Sequence, residues 1–132
     1  MLEPAPSPDQ IRVLVVDDDA DNRRALHALL EGWDLEVLGE AADGASAVEL
    51  AIELVPDVVL MDVRMPVMDG IEATRIITDA LPESRVILLT ADDDPSLRRK
   101  AEEHGGSAFL SKSAPAQCIR DAIVRPPPSV HP

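Results

Sequence analysis

The chain has 132 residues, 45% of them hydrophobic, and a formal net charge of −13. That length and apolar fraction suit one domain with its own core and exclude a disordered chain, and the acidity argues against non-specific binding to nucleic acid, whose phosphates it would repel. The single cysteine, Cys118, excludes an internal disulfide and a cysteine-based zinc site.

The first ten residues, with three prolines, read as a loose tail. The apolar run 11–16 reads as a strand and ends in Asp17-Asp18-Asp19. Residues 20–31 have a helical pattern with Ala25, Leu26, Leu29 and Leu30 on one stripe. A strand over 35–40 precedes a helix over 44–54, whose stripe is Ala47, Val48, Ala51 and Ile52. The strand 57–62 is almost wholly apolar until it stops in Asp62, and a turn-like stretch with Pro66 and Gly70 opens a helix over 70–80. Strand 85–90 ends in Thr90, and the acids Asp92-Asp93-Asp94 are expected to form an exposed loop that caps a charged, weakly anchored helix over 95–104. Strand 107–111 runs into Lys112. The last helix, 114–124, is expected to take Ser113 as N-cap, Pro115 in its first turn and Cys118 as a small buried hydrophobe. Residues 126–132 read as a proline-rich tail or linker stub, which leaves 11–125 as the folded body.

Five strand–helix units in series imply an α/β fold, a doubly wound parallel sheet with right-handed crossovers and helices on both faces. Ligands of such sheets bind at the carboxyl ends of the strands, where this sequence puts Asp17, Asp18, Asp62, Thr90 and Lys112. Three carboxylates brought close together repel unless a cation joins them, and an all-oxygen ligand set favours Mg²⁺. A threonine hydroxyl and a lysine ammonium beside them suit a phosphoryl group, and Lys112 can pair with Asp62 at rest. His27, His104 and His131 lack a spacing that suggests a ligand or a catalytic base. No glycine-rich nucleotide loop and no nucleophile-elbow serine is present. No apolar run is long enough to cross a membrane and no basic-then-apolar leader opens the chain, so the expectation is a cytoplasmic protein without membrane contact.

Val16-Asp17-Asp18-Asp19, Met61-Asp62-Val63-Arg64-Met65-Pro66-Val67-Met68-Asp69-Gly70, Leu89-Thr90-Ala91 and Ala108-Phe109-Leu110-Ser111-Lys112 together, in this order and spacing, resemble the receiver domain of bacterial two-component response regulators. The resemblance covers 11–125 and is nearest to receivers that usually precede a helix-turn-helix output domain. It implies a flavodoxin-like strand order 2-1-3-4-5. It implies Asp62 as phosphoacceptor, Mg²⁺ held by Asp17, Asp18, Asp62 and the backbone carbonyl of Arg64, and phosphoryl contacts from Thr90 and Lys112. Phe109 would be the aromatic switch residue alongside Thr90. The partners implied are a histidine kinase or phosphotransfer protein and, as one option, a second copy docking through 95–124, with no nucleic acid bound directly by this chain. Many receivers have a proline after the lysine, joined by a cis bond; Ser113 stands here, and because a cis bond before a non-proline costs about 3 kcal/mol a trans bond is expected.

Such a protein is a regulator and not an enzyme acting on a separate substrate. An alternative is a receiver-like interaction module that works without phosphate, which the full acid, threonine and lysine set argues against. An aspartyl-nucleophile phosphatase needs a second acid two residues after the nucleophile, where this chain has Arg64, and a flavodoxin-like cofactor carrier needs a phosphate-cradling loop that is missing.

Overall fold

Each expected apolar run is a strand in the computed structural model, which describes residues 10–91 and 94–124. In chain order the elements are β1 (Arg12–Val16), α1 (Ala20–Gly32), β2 (Glu36–Ala41), α2 (Gly44–Leu54), β3 (Val58–Asp62), α3 (Gly70–Ala80), β4 (Arg85–Thr90), α4 (Pro95–Glu103), β5 (Ala108–Ser111) and α5 (Ala116–Val124). All pairings are parallel and the strand order is β2-β1-β3-β4-β5. This is the expected doubly wound α/β sheet.

The alternation of side chains along each strand divides the core in two. Leu14, Val16, Val59, Met61, Val86, Leu88 and Phe109 face Ala47 and Ala51 of α2, Ile71 and Ile77 of α3, and Ala101 of α4. Val13, Val15, Val58, Leu60, Ile87 and Leu89 face Leu30 of α1 and Ile119 and Ile123 of α5. Covering on both faces is why β3 and β4 read as continuous apolar runs. Ala101 is the buried residue of α4, in keeping with a sparsely anchored helix.

Four helices start on an aspartate. Asp19 accepts from the Asp21 and Asn22 N–H groups, Asp43 from Ser46, Asp69 from Glu72 and Asp94 from Ser96. Each cap satisfies a backbone donor the helix cannot satisfy itself and contributes about 1 kcal/mol. Part of the chain's acidity is therefore structural.

Four local expectations fail. On α2, Ala47 and Ala51 are buried, but Ile52, expected on the same stripe, is 52% exposed. Cys118 is exposed, because α5 turns Ile119 and Ile123 to the sheet and leaves Cys118 on the outer arc. Ser113 does not cap α5, which begins at Ala116; its hydroxyl and backbone N–H both engage the Ser111 hydroxyl, at 2.8 and 3.1 Å. On α1 the buried residue is Leu30, while Ala25 is exposed; Ala25, Leu26 and Leu29 line a groove toward Ile119 of α5. The described peptide bonds include no cis bond, so Lys112–Ser113 is trans as expected. The expected tails, 1–10 except Gln10 and 126–132, lie outside the described residues, as do Arg125, Asp92 and Asp93.

Candidate functional site

The connections reverse direction at β1, with β2 on one side and β3 on the other. In an open parallel sheet that reversal leaves a crevice at the carboxyl ends of the strands. Asp17 follows β1, Asp62 is the last residue of β3, Thr90 is the last of β4 and Lys112 follows β5. Asp17, Asp62 and Thr90 are buried, at 1%, 5% and 1% exposure, while Asp18 is exposed.

Carboxylate oxygens of Asp17, Asp18 and Asp62 all lie within 4.8 Å of one another. Lys112 faces them: its Nζ stands 3.0 Å from Asp17 Oδ2 and 3.2 Å from Asp62 Oδ2. The lysine is steered there by its own backbone, whose N–H donates to the Thr90 carbonyl at 2.7 Å. Burial pushes the Asp62 carboxyl up to about 6; the Lys112 charge opposes the rise and the Asp17 and Asp18 carboxylates add to it. Burial also costs the Lys112 ammonium, but its hydrogen bond to Asp17 and the charges of Asp62 and Asp17 outweigh that cost and hold its pKa above the ordinary lysine value. One ammonium against three carboxylates leaves the cluster short of positive charge. The donors are oxygens only, and one of them opens to solvent, so the site fits a hard divalent cation such as Mg²⁺ that keeps part of its water shell.

The loop after β3 folds back on the end of that strand. The Gly70 N–H donates to the Val63 carbonyl at 2.7 Å, and a Cβ at Gly70 would run into the Asp62 carbonyl. A Cβ at Gly44 would likewise meet the Met68 carbonyl, so the two glycines let the loop fold down against β3 and α2. Arg64, in the same loop, is exposed. Its charge acts on Asp94, whose carboxyl is held low chiefly by the Ser96 N–H. Phe109 is buried in β5, and the Arg98 guanidinium of α4 lies 5.2 Å from its ring centroid, within cation–π range.

Residues 13–124 match the family "Response regulator receiver domain". The chain belongs to that family. This receiver is 46% identical over 114 residues to the transcriptional regulatory protein LiaR of Bacillus subtilis, a match covering 86% of this chain and 54% of LiaR. The chain thus spans about half the length of the curated relatives it matches. Among solved structures it resembles the receiver domain of the putative response regulator NarL from Mycobacterium tuberculosis, with a TM-score of 0.80, 35% identity, and coverage of 89% of this chain and 99% of that one. A DNA-binding response regulator of the LuxR family from Staphylococcus aureus superposes with a TM-score of 0.82 at 26% identity, covering 87% of this chain and 97% of that one. The expected likeness to receivers of transcriptional regulators is what these matches give.

The receiver's structure brings Asp17, Asp18, Asp62 and Lys112 into one cluster and seats Thr90 at the adjoining strand end. It also reveals a second polar group. Arg23 of α1 donates from Nη1 to the Asp17 carbonyl at 2.6 Å and sets Nε 3.3 Å from Glu40 Oε1. His27, set aside in the sequence, places Nδ1 2.8 Å from Glu40 Oε2 and Nε2 3.5 Å from Glu31. Its hydrogen bond with Glu40 raises its pKa. Arg23, His27 and Glu31 follow one another at i,i+4 on α1, a spacing that aligns them on one helix face but does not point to Glu40. Among the described residues no helix is long and apolar enough to cross a membrane.

Proposed function

We propose that this receiver is a phosphoacceptor in which Asp62 takes a phosphoryl group from a histidine kinase or a phosphotransfer protein. The observation that carries the reading is three carboxylates gathered within 4.8 Å around a single lysine ammonium. Asp17, Asp18 and Asp62, with the Arg64 backbone carbonyl, are the residues that would hold Mg²⁺. When bound, the ion supplies positive charge against the oxygens of the transferring group.

An ionised Asp62 oxygen attacks phosphorus, and the bond from phosphorus to the donor breaks with its electron pair leaving on the donor. With its carboxyl pushed up to about 6, Asp62 is largely ionised at pH 7 and becomes a poorer nucleophile as pH falls through that value. Lys112 gives up Asp62 Oδ2 as a partner and offers its ammonium to a phosphoryl oxygen. The Thr90 hydroxyl donates to another. The product carries about two negative charges where one stood, and drawing Thr90 toward them vacates space beside Phe109. The output face would then be α4, β5 and α5, open to a partner or a second copy. Such a chain is a regulator, not an enzyme on a separate substrate, and a kinase-fed acceptor of this kind works in the cytoplasm.

The test is intact-mass spectrometry after incubation with acetyl phosphate, with and without Mg²⁺. The expected result is one added phosphoryl group on the wild type with Mg²⁺ and none on Asp62→Asn. A wild type that gains no mass, or an Asp62→Asn variant that gains as much, overturns the reading.

A further inference from the structure

β1 stops pairing at Val16↔Ala41, so Asp17 lies beyond the sheet ladder. Its backbone is nonetheless held on both sides. The Asp17 N–H donates to the Ala41 carbonyl at 3.1 Å, and the Asp17 carbonyl accepts from Arg23 Nη1 at 2.6 Å. The first bond comes from the end of β2; the second comes from a side chain on α1. Arg23 is itself fixed: its side chain is 20% exposed, its Nε meets Glu40 Oε1, and the other Glu40 oxygen is occupied by His27. A guanidinium suits this task because its planar fork serves two acceptors in one rigid geometry.

Charge alone makes Arg23 an odd neighbour for a cation site, since a positive group nearby opposes a second positive ion. Its contact is with the backbone of an acid, not with a carboxylate oxygen of the cluster. We propose that Arg23, braced by Glu40, is a positioning residue that fixes the Asp17–Asp18 peptide so that both carboxylates face Asp62 in the geometry a divalent cation requires. The proposal rests on the reading of the acidic cluster as a Mg²⁺ site. It differs from a Coulombic role in sign: loss of a cation by itself tightens Mg²⁺ binding, and loss of a positioning group weakens it.

The experiment is a Mg²⁺ titration of the full 132-residue chain, followed by backbone amide NMR shifts, for the wild type, Arg23→Gln, Glu40→Gln, their double variant and Arg24→Gln. Arg24 sits on the same helix, 77% exposed, and pairs with Asp21, so it controls for charge. Removing a group that orients a metal ligand typically weakens metal binding by about tenfold or more, and about tenfold is the rise in half-saturating Mg²⁺ expected for Arg23→Gln. Arg24→Gln is expected to leave the value unchanged or lower it. Glu40→Gln keeps Arg23 and removes only the charge that braces it; it is expected to weaken binding by a smaller factor, with the double variant no worse than Arg23→Gln. Phosphoryl uptake from acetyl phosphate by Arg23→Gln should return to the wild-type level at saturating Mg²⁺, which a damaged fold would not allow. A half-saturation for Arg23→Gln and Glu40→Gln equal to or below that of the wild type overturns the proposal while leaving the phosphoacceptor reading intact. A wild type that binds no Mg²⁺ overturns the metal reading instead.

Discussion

Where the strands begin, charged groups meet partners supplied by the chain itself. Arg12 donates to the Leu54 and Val55 carbonyls at the end of α2, at 2.9 and 3.2 Å. Asp57 accepts from the Arg12 backbone N–H at 2.9 Å, and Arg85 donates to the Ala122 and Ile123 carbonyls near the end of α5, at 3.1 and 2.7 Å. These are arginines on the negative ends of helices and a carboxylate on a backbone N–H, arrangements that favour the folded state. Where the strands end, three carboxylates crowd one lysine. No buried side-chain nitrogen or oxygen among the described residues lacks a hydrogen-bond partner. The far end is therefore short of charge and not of hydrogen bonds. One edge of the sheet is built for stability, and the other keeps an electrostatic conflict that a cation and a phosphoryl group can relieve.

The sharpest way to break this contrast is at the stable edge. Arg85→Ala strips two helix carbonyls of a charged donor and is expected to cost about 2 kcal/mol of stability in urea unfolding. Mg²⁺ affinity should stay at the wild-type value. A variant that keeps its stability but binds Mg²⁺ less tightly would erase the distinction between the two edges.

A somewhat smaller effect, of the opposite sign, is expected at the conflicted edge. Asp62→Asn removes a buried charge from the carboxylate cluster, and without Mg²⁺ it should stabilise the protein at pH 7 by about 1–2 kcal/mol. The pH dependence follows from the direction of the shift. Asp62 in the fold titrates near 6, above its ordinary 3.8, so between those values the folded state holds a proton that the unfolded chain has released. Wild-type stability relative to Asp62→Asn therefore falls as pH rises from about 4 to about 6 and is level above that. Adding Mg²⁺ at pH 7 should narrow the gap, because the ion binds the folded wild type. Thermal melts of both proteins across that range check this; a gap that ignores pH, or an Asp62→Asn less stable at pH 7, would count against it.

The strands and the principal acids were legible because four of the five apolar runs stop abruptly at a polar residue, Asp17, Asp62, Thr90 or Lys112. Burial on both faces wrote itself into β3 and β4 as unbroken hydrophobic stretches. Cys118 was misplaced because Cys118 and Ile119 are adjacent and both apolar, and periodicity over nine residues does not fix which arc of α5 meets the sheet. Ser113 looked like a cap because its partner, the Ser111 hydroxyl two residues back, competes locally with the helix start. The Arg23–Glu40–His27 group was invisible for a different reason. Its acceptor on the site side is a backbone carbonyl, which has no sequence signature, and Glu40 arrives from β2 only once the β1–α1–β2 unit has folded.

The central claim is that the buried carboxylate closing β3 carries the phosphoryl group. Borohydride reduces an aspartyl phosphate to homoserine, so reduction after acetyl phosphate and Mg²⁺ treatment, followed by peptide sequencing in a mass spectrometer, locates the modified residue. Homoserine at position 62, dependent on Mg²⁺, is the predicted result. Homoserine at position 17 or 18 instead, or no reduced residue at all, would contradict it.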